Sequence, residues 1–334
     1  MRKLTALAIA TLLAACQAEA PPAEQAVESD SDTPSAVVAM NAVADRYYAW
    51  TLERFPEQAY FAAVDLDRHD GLRDNSMTAL AEDRAVEDEL LSAVEAINPD
   101  DLVGTPEWIA RALLEQQLRG NVSRRICREE LWNISQMGGW HSAYSQLATL
   151  QPVDTAEERE QALARWSKFP AFVDQEVANL KSGVEQGYTV PRPVAGRVIT
   201  QIDGLLAAPT GESPFYSPAV RADDEAFAAA LQDIVETGIV PALQRARDYL
   251  QNEYLPVARE ELSITAIPSG AECYEAMLRS YTTIDRSGAD VYELGQQTVA
   301  ANKAGVIQLG RAAYETEVFA EILARAKSDA NDRF

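Results

Sequence analysis

The chain has 334 residues, of which 47% are hydrophobic and 24% are charged, a balance typical of folded globular proteins. This length is enough for one large domain or two smaller ones with buried cores. The formal net charge of -23 argues against binding of nucleic acid, because phosphate recognition depends on clustered Lys and Arg.

The N-terminus has the features of a bacterial lipoprotein signal. Two basic residues precede an apolar stretch from Leu4 to Ala15, which is too short to span a bilayer. The stretch ends in "LLAAC", which resembles a lipobox whose Cys16 receives the lipid. An ordinary signal peptide with an incidental cysteine is the alternative. We predict a signal peptide over residues 1–15, export and lipid anchoring, and Gln17 favours the periplasmic face of the outer membrane.

The segment after the lipobox is predicted to be a flexible linker. After the cysteine it begins "QAEAPPAEQAVESDSDTPSA", which is rich in Pro, Ala, Ser and acidic residues and has no apolar periodicity. Helical periodicity starts at about Met40. The predicted organisation is therefore a lipid-anchored linker over residues 16–39 and a helical domain over residues 40–334.

Helical periodicity dominates this domain. Over residues 154–187 apolar side chains recur every three or four positions, and Thr155 with Glu158 matches a capping box at the helix start. Other helices are predicted over residues 83–97, 108–118, 223–250 and 319–326.

Few segments depart from this helical pattern. Gly238 and Pro241 are expected to interrupt the helix of residues 223–250. Only "TVPRPV" and "SYTTI" alternate in the manner of short strands. The predicted fold class is therefore mainly α.

Motifs that would identify a catalytic centre are absent from the sequence. His69 and His141 are the only two histidines, and they lack H-E-x-x-H spacing. We predict that each is a hydrogen-bonded or surface side chain rather than a metal ligand. The sequence also has no G-x-S-x-G elbow, no S-x-x-K pair and no phosphate-binding glycine loop. Acidic pairs such as Glu129 and Glu130 are assigned to solvated helix faces.

Two cysteines remain once Cys16 carries a lipid. Cys127 and Cys273 form an even pair in a chain predicted to be exported, so a disulfide between them is favoured. Two separately buried thiols are the alternative, because a sequence does not show whether two Cα atoms approach within about 7 Å.

Four longer stretches resemble the bacterial domain-of-unknown-function 885 family in content and order. They are "LWNISQMGGWHSAYSQLATLQPVDT", "RWSKFPAFVDQEVANLKSGVEQGYTVPRPV", "IVPALQRARDYLQNEYLPVARE" and "IPSGAECYEAMLRSYTTIDRSGADVYELG". The resemblance extends from about residue 41 to the end of the chain.

The resemblance implies a helical, zincin-like metallopeptidase architecture. In members of that family a zinc site lies in the C-terminal half, in a His-Glu-led motif followed by a Pro-Gly-His-His run. None of those ligands is present here, so the expectation is no cofactor in this chain and zinc only in a full-length relative. The chain is then expected to be the N-terminal part of such a protein, truncated before the metal-binding half by a gene model, a frameshift or a genuine stop.

The segment that precedes the missing site supplies the candidate cleft residues. In zincins a strand beside the metal helix binds the substrate backbone, and nearby hydroxyl groups stabilise the oxyanion. By this analogy Tyr274, Tyr281, Thr282 and Thr283 are candidates for lining a cleft, with packing in the core as the alternative.

Two classes of function remain open on the sequence. One is the N-terminal portion of an exported zinc hydrolase that is inactive as given. The other is a non-catalytic helical lipoprotein that binds a peptide or a protein partner. In both cases the expected contact with the membrane is through the lipid anchor only.

Overall fold

The computed structural model describes residues 35–328, and most of them are helical, which confirms the mainly α prediction. Six short 3-10 turns join the helices. The helices are α1 (Ser35–Arg54), α2 (Pro56–Phe61), α3 (Met77–Glu95), α4 (Pro106–Arg124), α5 (Trp140–Leu150), α6 (Ala156–Glu185), α7 (Arg192–Ala207), α8 (Ser217–Ala222), α9 (Glu225–Asp233), α10 (Val240–Tyr249), α11 (Leu255–Val257), α12 (Gly270–Thr282), α13 (Gly288–Tyr314) and α14 (Phe319–Ser328).

Helix α1 begins before the predicted domain boundary. Residues 35–39 were assigned to the linker but belong to this helix, so that assignment is wrong for them. The reason is burial: Val37 and Met40 pack into an apolar cluster with Leu90 and Leu118 of α3 and α4. Apolar contact with two other helices outweighs the polar composition around these residues.

Helix α6 is the central helix of the fold, and its start is the one expected from the sequence. The Thr155 side chain accepts a hydrogen bond from the Glu158 backbone at 3.1 Å, and the Glu158 carboxylate accepts one from the Thr155 backbone at 2.8 Å. This confirms the capping box. The apolar stripe of the helix is buried in the main core at Trp166, Phe169 and Val173.

The helix that begins at Glu225 is not interrupted where the sequence predicted. Gly238 and Pro241 lie in or beside a wider π-helical turn, Ile234–Ile239, and the helix continues into α10. A proline removes one backbone donor and crowds the preceding turn, and a locally wider turn relieves both problems without breaking the helix. A second π turn, Leu250–Tyr254, follows α10.

Glu225–Val257 is long and apolar enough to cross a membrane by length and composition alone. Its apolar face instead packs in the main core, where Leu231, Val235, Ile239 and Leu250 are buried. A buried core helix passes the same hydropathy test, so we assign this helix to the core.

Neither predicted strand is a strand in the structure. "SYTTI" overlaps the last turn of α12, since this helix packs against α4 and its helical face buries Cys273. In "TVPRPV", Pro191 makes an isolated parallel bridge with Arg259 and α7 begins at the next residue. For "SYTTI", tertiary packing overrides β propensity. For "TVPRPV", the segment enters a helix because proline is well tolerated in a helix's first turn.

Three apolar clusters hold the described chain together. The main core joins α5–α11 around α6, a second cluster joins α1, α3 and α4, and a small third cluster surrounds Cys127 and Cys273. A polar boundary separates the main core from the second cluster. The polar side chains that would form a binding site lie along this boundary.

Candidate functional site

A polar cleft opens between α1, α3, α4 and the turns that follow α4. We call it the arginine cleft. Its volume is about 430 Å³. Arginines, glutamates, amides and aromatic rings line it: Tyr47, Trp50, Thr51, Phe55, Gln58, Arg73, Arg84, Glu87, Gln117, Asn121, Arg124, Arg125, Glu129 and Glu130.

Ion pairs hold the arginines of the cleft in place. Arg84 contacts Glu130 at 3.0 Å, and Arg125 contacts Glu87 at 2.9 Å. Arg124 contacts Glu129 at 2.6 Å. The four arginines outnumber the three glutamates of the lining by one positive charge, in a chain whose net charge is -23. Arg73 in turn pairs with Glu57, so the cleft concentrates guanidinium groups that each have a carboxylate partner, on an otherwise acidic protein.

The Glu130 carboxylate is paired with two arginines, Arg84 and Arg128. Burial raises its pKa, but the hydrogen bond from Arg128 and the charge of Arg84 outweigh burial, so the pKa is lowered overall. Glu130 therefore stays ionised and fixes two guanidinium groups.

Several polar atoms of the cleft lack a hydrogen-bond partner among residues 35–328. They are Thr51 Oγ1, Arg124 Nε and Arg125 Nε. Guanidinium N–H groups suit carboxylate or backbone carbonyl oxygens of a ligand.

Arg73 is shared by the arginine cleft and two neighbouring cavities. With Glu129 and Glu130 it also lines a groove of about 260 Å³, which we call the channel. With Asn75 and Asn133 it lines both the channel and a partly open space of about 110 Å³, which we call the inner pocket. The remaining walls of the inner pocket are Glu57, Gly138, Trp140, Ala143, Tyr144 and Phe172.

Glu176 is a buried carboxylate in the wall of the channel. It accepts hydrogen bonds from Asn75 Nδ2 at 2.5 Å and Asn133 Nδ2 at 2.9 Å. Burial raises its pKa, and the two amide hydrogen bonds offset only part of this effect. Because Glu176 lies on α6, the hydrogen bonds join α6 to the loops before α3 and α5.

The raised pKa of Glu176 predicts a specific pH dependence of stability. A carboxyl with a raised folded-state pKa favours folding below its ordinary value of 4.5, and this contribution is lost as the pH rises through the folded-state pKa. Urea unfolding from pH 4 to pH 8 is expected to show wild type losing stability relative to Glu176→Gln as the pH rises. If the difference in the free energy of unfolding between wild type and Glu176→Gln does not change with pH, the pKa of Glu176 is not raised by burial.

The sequence-predicted cysteines lie together. Cys127 and Cys273 are bonded through sulfur, their Cα atoms are 4.8 Å apart, and both side chains are fully buried. This bond joins the turn after α4 to α12. Cys16, the predicted lipid attachment point, lies outside the described residues.

The four predicted cleft-lining residues do not line any of these cavities together. Tyr274 is 42% exposed and Tyr281 is 70% exposed, so neither packs in the core. The Tyr281 ring is the nearest to the arginine cleft, with its centroid 5.2 Å from Cζ of Arg124. Thr282 and Thr283 are exposed at the end of α12. These residues lie on a helix rather than a strand, so the zincin analogy does not place them in a groove.

The residues present do not fit a zinc site. Among residues 35–328 no three His, Cys, Asp or Glu side chains are grouped to hold a metal ion. His69 Nδ1 is 2.7 Å from the hydroxyl of Tyr60, and the buried His141 Nε2 is 2.9 Å from the amide oxygen of Gln201. Both histidines are thus hydrogen-bonded, and neither has a partner ligand.

Sequence reasoning missed the arginine cleft and the inner pocket. It assigned Glu129 and Glu130 to solvated helix faces, whereas the Glu130 side chain is only 10% exposed and pairs with two arginines. One signal was available: Glu176 stands between Val173 and Leu180 on the apolar stripe of α6, and a charged residue in such a stripe indicates a buried polar contact.

Fold and site together define a mainly helical protein with a polar cleft between apolar clusters. Residues 56–334 match the family described as "Bacterial protein of unknown function (DUF885)", and the chain belongs to that family. No curated protein shows significant similarity to the chain.

A solved structure gives independent support for the fold. A protein from Colwellia psychrerythraea that is described as a lipoprotein superposes with a TM-score of 0.75 at 13% identity. The match covers 90% of this chain and 55% of that protein, so this chain spans about half of its length.

Proposed function

We propose that this chain is the N-terminal, peptide-binding portion of an exported lipoprotein of the zinc-metallopeptidase-like class. In this proposal the arginine cleft, the channel and the inner pocket bind an extended peptide, and the chain itself performs no hydrolysis. Zinc belongs only to a longer relative that supplies the ligands missing here. The structural similarity to the protein from Colwellia psychrerythraea that is described as a lipoprotein supports the lipoprotein part of this proposal.

One observation carries the proposal: the arginine cleft, the channel and the inner pocket are neighbouring polar cavities that share lining residues. Arg73 lines the cleft, the channel and the inner pocket. A peptide offers carbonyl oxygens and a carboxylate to the arginines, N–H groups to the glutamates, and apolar side chains to the rings of Trp50 and Phe55. A small polar ligand with a single charge would contact only some of these groups.

The second candidate is a non-catalytic lipoprotein that captures a peptide or a protein partner. The same cleft supports it, and the lack of a fitting zinc site among residues 35–328 favours it for this chain alone. The two candidates differ in what a longer protein would contain. Both candidates predict that residues 35–328 bind a peptide in the arginine cleft.

Cys16→Ala tests the lipoprotein part of the proposal. Wild type expressed in a bacterium is expected to incorporate radiolabelled palmitate and to fractionate with membranes, because Cys16 follows a lipobox-like sequence. The variant is expected to lose the label completely. Equal labelling of wild type and variant would rule out lipid attachment at Cys16.

Arg124→Gln tests the arginine cleft. The acidic pentapeptide Ala-Glu-Ala-Glu-Ala is expected to bind the purified chain, and the variant is expected to bind it about tenfold more weakly, because a charge-assisted hydrogen bond contributes about 1.5 kcal/mol or more. Isothermal titration calorimetry measures both affinities. Chromatography of the same mixture is expected to show intact peptide.

The matched control is Arg311→Gln. Arg311 lies on α13 and pairs with Glu317, in the loop after that helix, at 2.6 Å. The Arg311 side chain is 65% exposed and does not line the cleft. This variant is expected to bind the pentapeptide as wild type does. An equal loss in both variants would mean that overall charge, rather than the cleft, determines affinity, and no binding by wild type would remove the proposal.

A further inference from the structure

Four residues that line the inner pocket each carry a buried polar atom that has no hydrogen-bond partner within residues 35–328. The atoms are Glu57 Oε2, Arg73 Nε, Trp140 Nε1 and Tyr144 Oη. Glu57, Trp140 and Tyr144 are each less than one-tenth exposed. A buried polar group without a partner costs about 1–3 kcal/mol of stability. Four such atoms in the lining of one pocket call for a bound water or a polar ligand.

The chemistry of these atoms restricts the ligand. Glu57 Oε2 only accepts a hydrogen bond, whereas the Trp140 and Arg73 N–H groups only donate one. The Tyr144 hydroxyl does either, and burial raises its pKa far above its ordinary value, so it remains a neutral hydroxyl. A ligand must therefore present a donor on one side and an oxygen acceptor on the other.

Glu57 is the acceptor that the inner pocket offers to a donor. It is the one acidic residue in the lining of this pocket, and Arg73 is the one basic residue. Arg73 Nη2 already pairs with Glu57 Oε1, which leaves Glu57 Oε2 for the ligand. An ammonium group gains a charge-assisted hydrogen bond there.

The size of the pocket restricts the ligand further. About 110 Å³ corresponds to the volume of roughly four water molecules, enough for one small amino-acid residue. The channel that leaves the pocket through Arg73, Asn75 and Asn133 provides room for the chain that follows.

We propose that the inner pocket binds the free amino terminus of a peptide whose first residue is small. The ammonium group donates to Glu57 Oε2, and the first carbonyl oxygen accepts from Tyr144 Oη and Trp140 Nε1. The remaining residues follow the channel to the arginine cleft. This inference rests on the proposed function, because it specifies which end of the peptide the site recognises.

Blocked peptides provide the test. Ala-Glu-Ala-Glu-Ala, its N-acetylated form and its C-terminal amide are titrated into the purified chain by calorimetry at about pH 6.5, where a free α-amino group is protonated. The acetylated form is expected to bind at least tenfold more weakly than the two forms with a free amino group. Equal affinity of the acetylated form would overturn this inference and leave the pocket to water, while peptide binding would stand. No binding of any form would overturn both.

Two variants identify the pocket as the source of the preference. Glu57→Gln is expected to remove most of the difference between free and acetylated peptide. Tyr144→Phe removes a hydroxyl without a protein partner, so its melting temperature is expected to equal or exceed that of wild type, while affinity for the free peptide falls about threefold or more. The second variant keeps the test decisive if Glu57→Gln does not fold.

Tyr254→Phe is the matched control for Tyr144→Phe. The Tyr254 hydroxyl accepts a hydrogen bond from the Val190 backbone N–H at 2.8 Å and is fully buried outside the pocket. This variant is expected to lower the melting temperature and leave peptide affinity unchanged. A Tyr144→Phe protein that is destabilised like the control and binds free peptide with wild-type affinity would show that Tyr144 is structural only.

Discussion

Loss of the Cys127–Cys273 disulfide is expected to lower the free energy of unfolding by about 5 kcal/mol, the chain-entropy value for a cross-link across a sequence separation of 146 residues. The bond joins the turn after α4 to α12, in a small apolar cluster apart from the main core. Without it, α12 is held to the rest of the chain chiefly by its packing against α4. Urea unfolding of Cys127→Ala/Cys273→Ala against wild type measures the change.

The control for this prediction is wild type in the presence of reductant. Reduced wild type keeps both side chains and loses only the cross-link, so it separates the effect of the bond from the effect of lost apolar volume. A Cys16→Ala background leaves only Cys127 and Cys273 as thiols. Mass spectrometry of the non-reduced exported protein is expected to find the two linked peptides, and two free thiols in folded protein would refute the pairing.

Gly183→Ala is expected to destabilise the protein by about 3 kcal/mol, at the upper end of the usual cost of overpacking. A Cβ atom at this position of α6 would lie 1.9 Å from the Leu131 carbonyl oxygen, a backbone atom that cannot rotate away. Leu131 ends the turn that carries Glu129 and Glu130, so the substitution is also expected to displace the wall of the arginine cleft and weaken pentapeptide binding.

Gly204→Ala supplies the matched comparison. Gly204 is an exposed glycine of α7, and a Cβ there meets no atom within 4 Å. Because alanine loses less backbone entropy than glycine in a helix, this variant is expected to gain about 0.5–1 kcal/mol. Thermal unfolding measures both variants. A Gly183→Ala protein as stable as Gly204→Ala would contradict the close contact with Leu131.

Local patterns predicted the features of the fold that depend on near neighbours. The capping box at Thr155 and Glu158 involves residues three positions apart, and the apolar stripe of α6 follows from helical periodicity. The same local reasoning was wrong for "SYTTI", where packing against α4 favours a helix, and for the interruption at Pro241, where a π-helical turn lets the helix continue.

The sequence by itself determined the helical class, the start of α6, the acidic surface and the lipobox-like signal, because composition and short-range spacing carry that information. The sequence also indicated Cys127 and Cys273 as candidates for a disulfide. Only the tertiary structure decided where the binding groups lie. Glu57, Arg73, Trp140 and Tyr144 come from three separate segments of the chain, and no spacing rule connects them. They surround one pocket because two apolar clusters pack on either side of a polar boundary, and the free energy of that packing is not encoded in any one segment.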